Sequence, residues 1–348
     1  MSHIAINMII IILLAGIASC RQNNTKNPDS ADWQVHVPAN LGGKMPELRF
    51  PITREGYELG KMLFFDPILS GNNTVACASC HKPHLAFTDG LALSDKGVSG
   101  KPLSRNTPSI VNTAWMSGLF WDGGAKDIES LALGPLEHED EMNQNIHELV
   151  LELRNDSVYS SRFIKVFPDE GITPHTIIRA LGQFQNALIS GSSRYDYFRR
   201  GENGVTLSSM ELQGLALVEK HCASCHTTDL FTDNLYHNNG LDSLFSDDTF
   251  LQTRLGRYRI TRDSNDLGKY KTPTLRNVSL TAPYMHDGRF ATLNEVLDHY
   301  SEGIKQSPTL DEKLSQPLRL SQHERRAIVE FLHSLTDYSF SDPSVYLQ

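Results

Sequence analysis

Four of the five cysteines in this chain of 348 residues fall in two copies of one pentapeptide, Cys77-Ala78-Ser79-Cys80-His81 and Cys222-Ala223-Ser224-Cys225-His226. Two thiols at this spacing with a histidine directly behind can do three kinds of chemistry. They can form a disulfide or thiol redox couple, the two pairs can share a zinc ion, or each pair can add to the vinyl groups of a haem whose iron the histidine then ligates. Zinc ribbons usually place their cysteine pairs much closer than the 142 positions (222 − 80) seen here. Neither zinc nor a redox couple explains a histidine after both pairs. Haem attachment does, so the chain is expected to hold two covalent c-type haems, one on Cys77, Cys80 and His81, the other on Cys222, Cys225 and His226.

The surroundings of the two motifs repeat as well. Gly60-Lys61-Met62-Leu63-Phe64 precedes the first and Gly214-Leu215-Ala216-Leu217-Val218 the second. Thr53 and the capping box Ser208-Ser209-Met210-Glu211 mark the starts of the corresponding helices. Phe87-Thr88-Asp89 and Phe231-Thr232-Asp233 follow the motifs, and Thr107 to Gly123 lies over Thr272 to Gly288 without a gap, pairing Asn112 with Asn277. An internal duplication follows. Thr173-Pro174 opens a helix with Ile177, Ile178, Leu181, Phe184 and Leu188 on one face, Leu293 to Tyr300 reads as another, and Ser321 to Glu324 caps a last one. Strand signals are few. The expected architecture is mainly α, with two cytochrome c-like helical domains over residues 51–200 and 201–348, joined near the polar stretch Ser190 to Gly204.

Composition is that of a globular protein, and a net charge of −9 leaves no basic stripe for nucleic acid. It hints instead at a basic protein partner. Residues 1–20 carry an apolar run, Ile9 to Leu14, too short to span a bilayer permanently, followed by small residues that end in Cys20. This resembles a bacterial lipoprotein signal in which Cys20 becomes the acylated N-terminus, although no Lys or Arg precedes the run. Cleavage by an ordinary signal peptidase is the competing reading. Residues 21–50 form a tether and N-terminal extension, and the expected place is the periplasm, with a lipid anchor at Cys20 in a bacterial membrane.

The motif pair, Arg105-Asn106-Thr107-Pro108, Phe120-Trp121-Asp122-Gly123, Gly134-Pro135, Glu141-Met142 and Ala282-Pro283-Tyr284-Met285-His286-Asp287-Gly288 together resemble the bacterial dihaem cytochrome c peroxidases and their relative MauG. The resemblance covers nearly the whole chain after residue 50. It implies a peroxidatic haem in the first half and an electron-transfer haem in the second. Glu141, twenty positions after Trp121, matches the family's catalytic glutamate, and Trp121 the tryptophan between the haems. Asn106, with the carbonyls of Thr281 and Pro283, matches an interhaem calcium site. A family glutamine near the peroxidatic haem is replaced by Leu131.

In the family the second iron takes its sixth ligand from the helix after the His-Asp-Gly motif, usually methionine but tyrosine in MauG, and the matching residue here is Tyr300. Met285, His286 and His299 are other candidates in that half. The repeat partner of Tyr300 (287 + 13) is Pro135 (122 + 13), which has no side-chain donor. No histidine occurs from Leu85 through Trp121, and His84 lies too close to His81, so the first haem is expected to be open unless His138 or His147 reaches it. The resemblance implies a peroxidase that reduces hydrogen peroxide with electrons from a small cytochrome c or copper protein, and it admits a homodimer. The alternatives are a MauG-like oxidase of a protein substrate and a non-catalytic dihaem electron carrier.

Overall fold

In each half the first and last helices cross so closely that one of them carries glycine at the crossing. The computed structural model describes residues 33–245 and 252–347; the expected signal segment, Cys20 and the tether up to residue 32 lie outside the described residues. The helices are α1 (Arg54–Phe65), α2 (Cys77–Cys80), α3 (Ile128–Glu137), α4 (Ile146–Asn155), α5 (Ser157–Val166), α6 (Pro174–Asn186), α7 (Arg194–Arg200), α8 (Ser209–His221), α9 (Tyr258–Thr261), α10 (Leu293–Asp298) and α11 (Gln322–Ser334). Among the described residues two short strands, β1 (Tyr236–His237) and β2 (Tyr270–Lys271), pair antiparallel.

The helix starts follow the caps. Thr53 accepts from the Gly56 amide. Ser208 and Ser321 cap α8 and α11, each with the third-position glutamate bonding back to the serine amide at 2.7 and 2.8 Å. In the first half α1 crosses α6, where a Cβ on Gly60 would overlap the Ala180 carbonyl oxygen. In the second half α8 crosses α11 in the same way, Gly214 against the Ala327 carbonyl. Gly214→Ala is therefore expected to lower stability by about 1–3 kcal/mol, read as a fall in the chemical-denaturation midpoint of the haem-loaded protein. An unchanged midpoint would mean that the crossing relaxes.

Asn112 and Asn277, paired by the duplication, do equivalent work. Both are wholly buried with positive φ (55° and 60°), a conformation asparagine tolerates. Asn112 takes its amide to Leu188 O and exchanges two hydrogen bonds with the Ser190 backbone at 2.9 and 3.1 Å. Asn277 takes its amide to Leu335 O and accepts from the Asp337 amide at 2.7 Å. Each asparagine thus closes the chain just after the last helix of its half.

Among the described residues the apolar side chains gather in two large cores and a small third cluster of Leu119, Ala125 and Ile128. The first gathers Leu59, Leu63, Phe64, Phe87, Leu149, Phe163, Ile177 and Phe184, with α4 and α5 as an added layer; the second gathers Val218, Phe231, Leu297, Ile328, Phe331 and Leu335. The polar stretch after Ser190 is tied down by its own polarity. Asp196 on α7 forms a fully buried bidentate pair with Arg276 at 2.9 Å for both bonds, and also accepts from Asn40 at 2.7 Å. Part of the N-terminal extension is thereby fastened to the body.

Candidate haem sites and the region between them

The first motif forms α2, a single helical turn, and His81 caps it with its amide on Cys77 O. His81 Nδ1 donates to the Phe87 carbonyl at 2.8 Å, and His226 Nδ1 to the Phe231 carbonyl at 3.1 Å. That bond leaves Nε2 of each ring for iron and fixes the ring's orientation. Burial holds both imidazoles below their usual range, hence neutral, as a ligand must be. Burial also pushes the Cys77 thiol up to about 12 and Cys222 up to about 11. A redox couple works through a thiolate, which these sites disfavour. None of the four described cysteines is in a disulfide.

A second observation fits a haem. Between the halves, Arg105 Nη1 reaches Asp122 at 2.8 Å, and Arg259 reaches the same carboxylate at 3.3 Å. Arg105 Nε and Nη2 are buried with no partner, and so is Nε2 of His286. His286 is 2% exposed and stacks on Tyr270 with ring centroids 3.7 Å apart. Buried donors without acceptors are costly, and this group calls for an anion. Haem propionates are anions of the right class. The spacing of the motifs did not reveal Arg105 as a donor; its unsatisfied burial did.

The expected residues around the first motif come together through one fold-back. After α3, which contains Pro135, the chain reverses: Glu141 N donates to His138 O, Met142 N to Pro135 O, and Val98 N to Glu141 O at 2.7 Å. The half-buried Glu141 carboxyl is close enough to Cys80 to act on it electrostatically, and burial raises it above its ordinary range. Leu131 lies on α3. His84, His138 and His147 are exposed, and His138 Nδ1 accepts from the Asp140 amide at 3.2 Å.

Trp121 Nε1 donates to the Asn106 carbonyl at 2.9 Å, and its own carbonyl accepts from the Lys271 amide at 2.8 Å, so the indole lies where the halves meet. Asn106 N donates to His286 O, and its side-chain nitrogen goes to Leu91 O at 2.8 Å, with Oδ1 outside any described hydrogen bond. Thr281 and Pro283 precede His286 in the same segment, with their carbonyls outside any described hydrogen bond.

Tyr300 occupies a π-helical turn, His299–Gly303, that continues α10. Such turns appear often at functional sites, because the extra residue per turn re-aims a side chain. Burial pushes the phenol up to about 12, with Asn239 hydrogen-bonded to it and both cysteines of the second motif nearby. The rival candidates are otherwise engaged. His299 Nε2 donates to Asn239 O at 2.9 Å, Met285 Sδ accepts from Asn239 Nδ2 at 3.5 Å, and the His286 ring is stacked on Tyr270. Asn239, which the motifs did not single out, therefore touches three of the four candidates.

One cluster resembles a metal site. Cys225, Asp233 and His237 bring ligand atoms within 4.8 Å of one another. His237, however, is held at both nitrogens, by Asp311 at 2.5 Å and Asp233 at 2.8 Å, and Cys225 belongs to the second Cys-Ala-Ser-Cys-His motif. It is a clamp that ties the loop around Asp311 to the second motif. The only signal in the sequence was that the first copy has Leu93 at the matching position.

Two covalent haem sites on paired helical domains define a dihaem c-type cytochrome. The family model for di-haem cytochrome c peroxidase matches residues 54–204, and that for cytochrome c residues 212–336. The methylamine utilization protein MauG of Methylorubrum extorquens is 37% identical over 290 residues, 82% of this chain and 79% of that one. The cytochrome-c peroxidase IdrP1 of Pseudomonas sp. is 31% identical over 323 residues, 85% and 84% of the two chains. The crystal structure of a MauG-like protein associated with microbial copper homeostasis superposes with a TM-score of 0.81 at 33% identity, covering 89% of this chain and 97% of that one. The chain belongs to the dihaem cytochrome c peroxidase and MauG family. It is a peroxide-reducing oxidoreductase with two covalent haem c groups.

Proposed function

We infer that the protein reduces hydrogen peroxide to water with electrons from a small cytochrome or copper protein, Cys77, Cys80 and His81 being the residues that would hold the peroxidatic haem and Cys222, Cys225 and His226 those that would hold the electron-transfer haem. Each turnover consumes one peroxide, two electrons and two protons and yields two waters. The observation that carries the reading is the asymmetry of the repeat. Tyr300 stands beside the second motif, whereas its partner position on α3 is Pro135, with the half-buried Glu141 folded back next to it. The haem, when bound, supplies iron for peroxide and a path for electrons.

The remaining steps belong to the chain. Cleavage of the O–O bond needs a proton moved from one peroxide oxygen to the other, and Glu141 is the general acid–base that moves it. Leu131, in place of a glutamine, leaves the proton work to that carboxyl. Trp121, in the wall between the halves, relays the electron. Asn106 Oδ1 with the Thr281 and Pro283 carbonyls is an oxygen donor set suited to calcium. The two helical domains divide near residue 200, and the protein is exported and anchored through Cys20. Among the described residues no helix is long and apolar enough to cross a membrane. The acidic surface favours a basic donor, and a homodimer is compatible with this arrangement.

Tyr300 also favours a second reading. An oxygen ligand stabilises oxidised iron, which suits a MauG-like oxidation of a protein side chain better than electron collection. EPR of the fully ferric protein tests the asymmetry common to both readings. One high-spin and one low-spin haem are expected, and two low-spin haems would overturn the open first site and favour a plain electron carrier.

A further inference from the structure

The segments that follow the last helix of each half change sides. After α6 the chain runs into α7, and Tyr195 enters the second core, with its ring 5.4 Å from Phe231 and 5.5 Å from Phe331. After α11 the reverse happens. Phe340 and Tyr346 enter the first core, 5.3 and 5.1 Å from Phe87. Phe231 and Phe87 are the residues whose carbonyls receive Nδ1 of His226 and His81. Both have positive φ, 53° and 60°. A bulky residue stays in that region only when its surroundings hold it there. The aromatic rings that crossed over are a large part of those surroundings.

The crossing points are built alike. Ser190 and Asp337 are repeat partners, since 337 − 190 = 147 is the offset that also relates Ala180 to Ala327. Asp337 accepts from Ser190 Oγ at 3.2 Å, Gly191 N at 3.0 Å and Ser192 N at 2.8 Å, knotting the two segments together where they part. Beyond the knot, the buried Asp196–Arg276 pair anchors the first segment to the second half. The second segment is closed by Tyr346 Oη donating to Phe340 O at 3.0 Å. It also lies past residue 336, where the match to the cytochrome c family model stops.

We propose that these segments are exchanged straps, each half supplying the aromatic side chains that lock the carbonyl orienting the other half's haem-ligating histidine. Phe340 and Tyr346 are positioning residues for His81, and Tyr195 is one for His226. The hydrogen bond to Nδ1 raises the basicity of the ligating nitrogen and so favours ferric iron. Loosening a strap therefore raises the reduction potential of the haem on the opposite half.

The inference rests on reading His81 and His226 as the iron ligands. Its test uses the full haem-loaded protein, with the two potentials resolved by spectroelectrochemistry and unfolding followed in parallel. Phe340→Ala with Tyr346→Ala is expected to shift the first haem's ferric-to-ferrous ratio about tenfold at a given potential, ~59 mV for one electron, and to leave the second haem unmoved. Tyr195→Ala is expected to do the opposite. Tyr346→Phe, which keeps the ring and loses only the bond to Phe340 O, is expected to resemble the parent. Potentials that move together, or that stay fixed while stability falls, would reduce the straps to ordinary core filling. If the double variant yields no haem-loaded protein, Phe340→Leu is read by the same criterion. His81→Gly separates the two failures: it must alter the first haem's signal, and if it does not, the ligand reading fails rather than the straps.

Discussion

Replacing Glu141 with Gln is expected to lower peroxide turnover by about 10²–10⁴-fold, the range for loss of a general acid–base, with both haems retained. The glutamine keeps the shape of the side chain and the fold-back around it, because those rest on backbone bonds from His138, Pro135 and Val98. What it loses, on the proposed role, is a proton carrier. The check is steady-state kinetics beside a haem stain and an absorbance spectrum of the same preparation. Full activity in the variant would move the proton work to another group.

The pH dependence follows from the same burial. Desolvation raises the Glu141 carboxyl above its ordinary value, with no nearby cation strong enough to reverse it. The folded state therefore binds this proton more tightly than the unfolded chain does. In the window between the unfolded and folded pKa values, stability falls as pH rises, and above the folded value the full cost of a buried charge is present. Activity has the opposite sign, since the carboxylate form must accept the first proton: it is lost as pH falls through the raised pKa. Glu141→Gln should thus abolish this acid limb while leaving stability at neutral pH equal or slightly higher. A variant that lost activity and stability together would point to a structural role.

Tyr300→Met is expected to raise the reduction potential of the second haem by a few tenths of a volt, within the span that axial ligands command. The oxygen of a phenolate stabilises ferric iron, whereas a thioether favours the ferrous state. Redox titration with each haem followed separately checks it, and the first haem should not move. Burial keeps the free phenol protonated, up to about 12; iron facing the oxygen inverts that preference, as bound cations do. No shift in the second haem would remove Tyr300 from the ligand position and return Met285 to consideration. A protein-oxidising role would weaken with the tyrosine, while electron collection from a small donor would become easier.

These residues differ in how visible they were before folding. The attachment of two haems, the duplication and the capped helices are local: each depends on residue types at short, repeated spacing, which a linear chain displays directly. The pairing of Asn112 with Asn277 was visible too, though not that each closes the end of a distant helix. Glu141 was a different case. Within His138-Glu139-Asp140-Glu141 nothing local separates one acidic residue from its neighbours, and only the reversal of the chain onto α3 buries this one. Arg105 and His286 carry no signature beyond their motifs, because an unsatisfied donor is defined by what fails to surround it.

By itself, then, the sequence determined the cofactor, the number of copies and the helical class, because covalent attachment and helix starts are written in contiguous residues. Tertiary structure alone decided which side chains share a site across 80 or more positions. The Asp196–Arg276 pair spans 80 residues and the Asp337 knot about 145. The return of Phe340 and Tyr346 to the first core spans more than half the chain. No periodicity encodes such meetings; they depend on the order in which packed surfaces close, and on which polar groups remain buried once they have.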